Sequence, residues 1–239
     1  MTQESININS HNHKMVGTIF RPKQDLELLP AIIFFHGRGS KQERYYPRAE
    51  AVCQKGVVVL IFSFRGCGKS EGQFDELTTQ DGIDDALAGY DFLINQKSID
   101  KDKIGIYGGS YGGYLASIIS SNRHVKALAL DAPAIYKDEW MHLPYSKIPI
   151  DKIKRFNYDK VPESIAYKSI ANYRGRLLVI EHEKDEIIPK LIVKSYFDKA
   201  GTTRKKYQIL KNAPHRLVDD FYNQDTQIVS SWFAENLQR

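Results

Sequence analysis

The stretch KIGIYGGSYGGYLASII, residues 103–119, decides how the rest of the chain is read. Lys103 to Tyr107 is a short apolar run that reads as a strand, Tyr114 to Ile119 opens an apolar helix, and Ser110 falls in the turn between them. A turn that sharp strains the backbone and brings strand and helix close together, so side chains at positions 108 and 112 would collide; Gly108 and Gly112 avoid this. The same turn aims the first free amides of the helix at the serine, where they and the helix dipole favour developing negative charge. Gly-x-Ser-x-Gly occurs a second time, from Gly68 to Gly72, so the pattern alone decides nothing. There the loop Arg65-Gly66-Cys67-Gly68 separates Ser70 from the preceding strand, and Gln73 to Glu76 begins no periodic helix. Ser70 reads as a turn residue, and Ser110 as the nucleophile.

Outward from this segment the chain alternates strands and helices. Ala31–Phe35, Val57–Phe62, Ile104–Tyr107, Ala127–Leu130 and Leu177–Ile180 are short apolar runs of the kind buried on both faces of a parallel sheet, and Tyr207–Leu210 is the last strand. Ser5–Asn9 and Met15–Phe20 alternate apolar and polar residues around Ser10-His11-Asn12, as an antiparallel hairpin at the sheet edge would. Helices are expected over Glu43–Gln54, Thr79–Gln96, Gly113–Ser121, Lys190–Lys199 and Val218–Leu237; in the second, Ile83, Ala86, Leu87, Tyr90, Leu93 and Ile94 share one face. The alternation breaks between Ile135 and Tyr173, where Pro144, Pro149 and Pro162 accompany Tyr136, Trp140, Tyr145, Phe156, Tyr158, Tyr167 and Tyr173. Disordered segments are poor in aromatics, so residues 135–173 read as a small lid insertion whose rings either line a pocket or simply pack. The expectation is a single α/β domain over residues 1–239, with a mostly parallel sheet of about eight strands, an N-terminal antiparallel hairpin and helices on both faces.

Composition narrows the function classes. The 34 Lys and Arg against 29 Asp and Glu give a net charge of +5, but the basic runs Lys152–Arg155 and Arg204–Lys206 are short, and no nucleic-acid partner is expected. No apolar run approaches the roughly 18 to 20 residues of a membrane span. The polar N-terminus lacks a secretory pattern, and the 2 cysteines, Cys53 and Cys67, read as free thiols; a cytoplasmic location is expected.

Further segments complete the picture: Phe35-His36-Gly37-Arg38-Gly39, Phe64-Arg65-Gly66-Cys67-Gly68-Lys69-Ser70, Glu183-Lys184-Asp185-Glu186-Ile187-Ile188-Pro189 and Ala213-Pro214-His215. With the elbow at Ser110, their identity and order make the chain resemble a serine α/β-hydrolase over nearly its whole length. It is similar to the dienelactone-hydrolase-like and feruloyl-esterase-like branch, and its elbow also resembles that of the prolyl-oligopeptidase catalytic domain. A serine hydroxyl needs an adjacent base held in one tautomer by a carboxylate, and in this fold they follow in the order Ser, acid, His. His215 is the expected base, because His182 precedes every plausible acid in its loop. Asp185 is the expected acid; Glu183 and Glu186 are close alternatives, and Asp131, at the end of the preceding strand, is the serious rival. The resemblance implies an oxyanion hole built from the backbone amides of Tyr111 and Arg38, with the Arg38 side chain either at the pocket rim or solvated. His36 is expected to shape the loop beside it, and Arg65 to pair with a nearby acid. The function implied is a serine carboxylesterase acting on short-chain or aryl esters without a metal or organic cofactor; the oligomeric state is left open. A prolyl-oligopeptidase-type peptidase and a non-catalytic binding member of the fold are the alternatives.

Overall fold

The computed structural model describes residues 1–23, 27–148 and 163–238. Strand β1 (Thr2–Ser10) turns through His11, at φ +50°, into β2 (His13–Arg21), and the two pair antiparallel as the alternation predicts. β2 lies antiparallel to β4 (Val58–Phe62), which runs parallel to β3 (Leu29–Phe35). The sheet continues in parallel through β5 (Ile99–Gly109), β6 (Ala127–Asp131), β7 (Arg176–His182) and β8 (Lys205–Leu210), giving eight strands in the order β1-β2-β4-β3-β5-β6-β7-β8.

The central strands are mostly apolar because both faces are covered. Ile33, Phe35, Leu60, Leu128 and Val179 enter one core, while Ile32, Phe34, Ile61, Ala129 and Leu178 enter the other, so the period-two alternation sorts residues between two interiors. The first core is covered by α2 (Thr79–Ile94), α3 (Tyr111–Asn122), α4 (Ile165–Asn172) and α5 (Lys190–Lys199); the second by α1 (Tyr46–Gln54) and α6 (Asp219–Leu237). Helix α2 starts at a capping box, in which the Thr78 hydroxyl accepts from the Asp81 amide and the Asp81 carboxylate accepts from the Thr78 amide.

The helices depart from expectation in several places. The segment from Gln42 to Tyr45 is a 3-10 turn, and the α-helix begins only where Pro47 presets the first turn. Helix α3 begins at Tyr111 rather than Gly113, directly after the nucleophile candidate. Helix α4 falls inside the expected insertion; its Ala166 and Ile170, four residues apart, are buried, and Ser169 lies 3.1 Å from Ser121 of α3. In that insertion Trp140, Tyr145, Tyr167 and Tyr173 are buried in the first core. Pro149, Phe156, Tyr158, Pro162 and the basic run Lys152–Arg155 lie outside the described residues. Among the described residues no helix is long and apolar enough to cross a membrane.

Candidate active site

The carboxyl ends of β3, β5, β6, β7 and β8 meet at one edge of the sheet, and the candidate residues stand there. Ser110 bridges β5 and α3 with φ +53° and ψ −116°, a backbone state that side chains seldom adopt. The close packing inferred from the glycines is present. A methyl group on Gly108 would overlap the carbonyl of Gly112, and one on Gly112 would overlap the carbonyl of Phe35. Hydrogen bonds across the edge hold the elbow: Ser110 N–H donates to the Asp131 carbonyl at 2.8 Å, and Ala134 N–H donates to the Ser110 carbonyl at 3.0 Å.

The Ser110 hydroxyl lies 3.1 Å from His215 Nε2, and His215 Nδ1 lies 2.7 Å from Asp185 Oδ2. The other Asp185 oxygen accepts from the amides of Ile187 and Ile188 at 2.8 and 2.7 Å, which fixes the carboxylate as an acceptor. His215 therefore carries its proton on Nδ1 and leaves Nε2 free to accept from the serine. The acidic neighbours that compete in the sequence act on backbone instead: Glu186 accepts from His215 N–H at 3.0 Å and Glu183 from Asn212 N–H at 2.9 Å. They pin the histidine loop without touching the ring.

Asp131, the rival acid, faces a different histidine. Its Oδ1 accepts from His182 Nε2 at 2.8 Å and its Oδ2 from the Tyr107 hydroxyl at 2.5 Å. Tyr107 in turn accepts from Arg48 Nη1 at 2.8 Å, and Arg48 is ion-paired with Asp225, all in the buried interior. Burial works against charge on Asp131, but the His182 charge and hydrogen bond, with Arg48 and Tyr107, outweigh it and hold the carboxyl at about 2. The sequence marks Arg48, Tyr107 and Asp225 only as parts of helices and a strand, not as site residues. Their signal was present: Arg48 is one turn from Val52 and Asp225 one turn from Val229, so each charge occupies a core-facing helix position.

His36 is buried and neutral. Desolvation lowers it to about 4; its Nε2 accepts from Phe64 N–H at 3.0 Å and its Nδ1 donates to the Gly37 carbonyl at 2.7 Å. It thus ties the end of β3 to the loop after β4 and sets the course of Gly37-Arg38. Gly37 lies against Ser110, since a methyl group there would be 3.6 Å from the serine Cβ. Arg38 is half-buried at the cleft, where its guanidinium stacks 4.7 Å from the Tyr145 ring centre and donates to the Tyr145 carbonyl at 2.8 Å. Arg65 binds Asp85 at 2.6 Å and Asp81 at 3.2 Å, locking the glycine-rich loop to α2. Ser70 is spent on structure, donating to the Ser63 carbonyl at 2.6 Å and accepting from Val16 N–H. Desolvation raises the Cys67 and Cys53 thiols to about 11, which suits neither to nucleophilic attack.

A cleft of about 970 Å³ opens over Ser110 and His215. Ile135, Tyr136, Ile187, Ile188 and Leu217 supply its apolar wall, so of the insertion's aromatics Tyr136 lines the cleft while Tyr145 packs beneath it. One ring nitrogen from each of His182 and His215 and a carboxylate oxygen of Asp185 lie within 4.8 Å of one another, the one possible metal-donor group among the described residues. Two of its members are already committed to the chain ending at Ser110. That chain has the geometry to take a proton from the serine.

Solved structures with this fold include ferulic acid-bound Est1E from Butyrivibrio proteoclasticus, at 17% identity and TM-score 0.79 over 98% of this chain and all (100%) of that one. Another is the Pyrococcus furiosus esterase Pf2001, at 22% identity and TM-score 0.76 over 99% and 93%. Among sequence relatives, protein Rv2307c of Mycobacterium tuberculosis is 25% identical over 186 residues, 78% of this chain but 63% of its own length. Dipeptidyl peptidase 8 of Mus musculus is 34% identical over 116 residues, 43% of this chain and 13% of that protein. Residues 44–239 match the prolyl oligopeptidase family, and with the sheet order and its neighbours this shows that the chain belongs to that family, within the serine α/β-hydrolase superfamily.

Proposed function

We propose that the chain is a serine carboxylesterase that hydrolyses short-chain or aryl carboxylic esters through an acyl-enzyme. The observation that carries this reading is the hydrogen-bonded series Asp185, His215, Ser110 at the floor of an open, partly apolar cleft. Ser110 Oγ attacks the ester carbonyl as His215 Nε2 takes its proton, and the amides of Tyr111 and Arg38 receive the oxyanion. Collapse expels the alcohol, which takes the proton from His215. Water then attacks the acyl-serine by the same route, and the acid is released. Asp185 orients the imidazole and stabilises the imidazolium that forms. The two free, buried thiols accord with action in the cytoplasm.

Cleavage of aminoacyl amides is the second reading, favoured by the family match over residues 44–239. It uses the same three side chains but must protonate a poorer leaving group. A fluorophosphonate probe tests the nucleophile: the wild type is labelled and Ser110→Ala is not. A folded wild type that takes no label overturns the enzymatic reading in favour of a binding protein. Nitrophenyl esters of increasing acyl length, run beside aminoacyl anilides, separate the two chemistries, with faster turnover of the short esters expected.

A further inference from the structure

We propose that Asp131 and His182 form a second carboxylate–imidazole pair that keeps a fixed positive charge behind the Asp185–His215 pair. His182 is then a positioning residue whose charge acts on the Asp185–His215 pair. The inference rests on the reading of Ser110, His215 and Asp185 given above.

The argument is one of charge balance. Both oxygens of Asp131 accept hydrogen bonds, from His182 at 2.8 Å and Tyr107 at 2.5 Å, so the group is a carboxylate. A buried carboxylate must be matched by a cation. Arg48 reaches this network through Tyr107, but its charge is already met by Asp225. The cation left to match Asp131 is His182, whose side chain is 2% exposed. Burial opposes its protonation, yet the Asp131 charge and hydrogen bond prevail and raise it to about 9. Its other ring nitrogen, Nδ1, has no partner and is buried. The ring thus turns a positive edge toward the triad: its centre is 6.4 Å from that of His215, and it belongs to the donor group spanning Asp185 and His215 within 4.8 Å.

The charged and titratable groups around His182 are Asp131 from β6, Tyr107 from β5, Arg48 from α1, Asp225 from α6, and Asp185 and His215 from the loops after β7 and β8. Of these, Asp185 and His215 answer to it catalytically. A buried cation at this distance opposes further positive charge on the catalytic pair, and the acid limb of the pH profile is where its removal is read.

The test is the acid limb of kcat/KM for a nitrophenyl ester. In His182→Gln, which keeps a donor for Asp131 but not the charge, the limb moves to higher pH by about one unit. Asp131→Asn, which removes the counter-ion and lets His182 lose its proton, moves it the same way. The double variant moves it no further than either single one. A role in packing alone lowers kcat and Tm at every pH and leaves the limb in place, and that result overturns the proposal. Should either variant fail to fold, nitrogen NMR of the wild type decides: His182 doubly protonated at pH 7 supports the proposal, and a neutral ring refutes it. Absence of ester turnover by the wild type defeats the esterase reading, while the NMR measurement still reports on His182.

Discussion

Two aspartate–histidine pairs stand side by side at the carboxyl edge of the sheet, Asp185–His215 at 2.7 Å and Asp131–His182 at 2.8 Å. In composition and length they are nearly the same object, and what differs is the far nitrogen of each imidazole. That of His215 reaches a serine hydroxyl in an open cleft, whereas that of His182 reaches nothing and is sealed. The remaining oxygen of each carboxylate differs too: two backbone amides fill it on Asp185, and a tyrosine tied to a buried arginine fills it on Asp131. A proton moves through such a pair only where something can hand it over. The first pair has that donor, and the second is built to keep its charge still.

Ser110→Ala and His215→Ala should break the first pair's function outright, each lowering kcat for a nitrophenyl ester on the order of 10⁶-fold, because triad members act as a unit. Circular dichroism should show both variants folded. The sharper test of the comparison exchanges the carboxylates. Asp185→Asn should lower kcat by about 10⁴-fold, since the wrong tautomer of His215 is then favoured. Asp131→Asn should cost far less and appear chiefly in the pH profile. The opposite ranking would make Asp131 the catalytic acid and reverse the two assignments.

The scaffold under the second pair should show its value in stability instead. Arg48→Met leaves Asp225 buried without its cation and should destabilise the fold by about 3–5 kcal/mol in urea melts. Adding Asp225→Leu should restore much of that loss, because a well-packed apolar pair can match a buried ion pair. A small effect of Arg48→Met alone would mean that the Arg48–Asp225 pair is not the charge anchor argued above.

The first pair was legible in the sequence and the second was not, for a physical reason. Ser110 sits in a local motif whose glycines are forced by backbone overlap, and Asp185 and His215 follow strands readable as apolar runs. Chain order then supplied what spacing alone could not. The mostly parallel sheet followed likewise from short two-faced strands, whereas its strand order, with β4 between β2 and β3, did not. Asp131 and His182 were visible as strand-end residues, but their pairing depends on β6 and β7 being neighbours in register, a long-range fact. Arg48 and Asp225 lie 177 positions apart, on helices that meet only after the second core closes. Helix α4 escaped notice because prolines and aromatics masked its short period, although Ala166 and Ile170 carry it.

The charge held at His182 should also be visible without any substrate, as a dependence of stability on pH. A base whose pKa is raised by folding adds stability that is complete below its unfolded value, near 6.5, and is lost as the pH rises through the folded value, about 9. Asp131, whose pKa is lowered to about 2, behaves oppositely: its contribution is present above the unfolded value of 3.8 and disappears as the pH falls toward 2. The wild type should therefore lose Tm between pH 6.5 and 9, a window in which Asp131 does not titrate. His182→Gln should flatten this decline; Asp225, which burial raises to about 7 and on which the His182 charge acts, changes with it near pH 7, so the part of the decline above about pH 7 reports on His182. Parallel curves for the wild type and His182→Gln would mean that the buried imidazole is neutral, and the contrast between the two pairs would then reduce to solvent access alone.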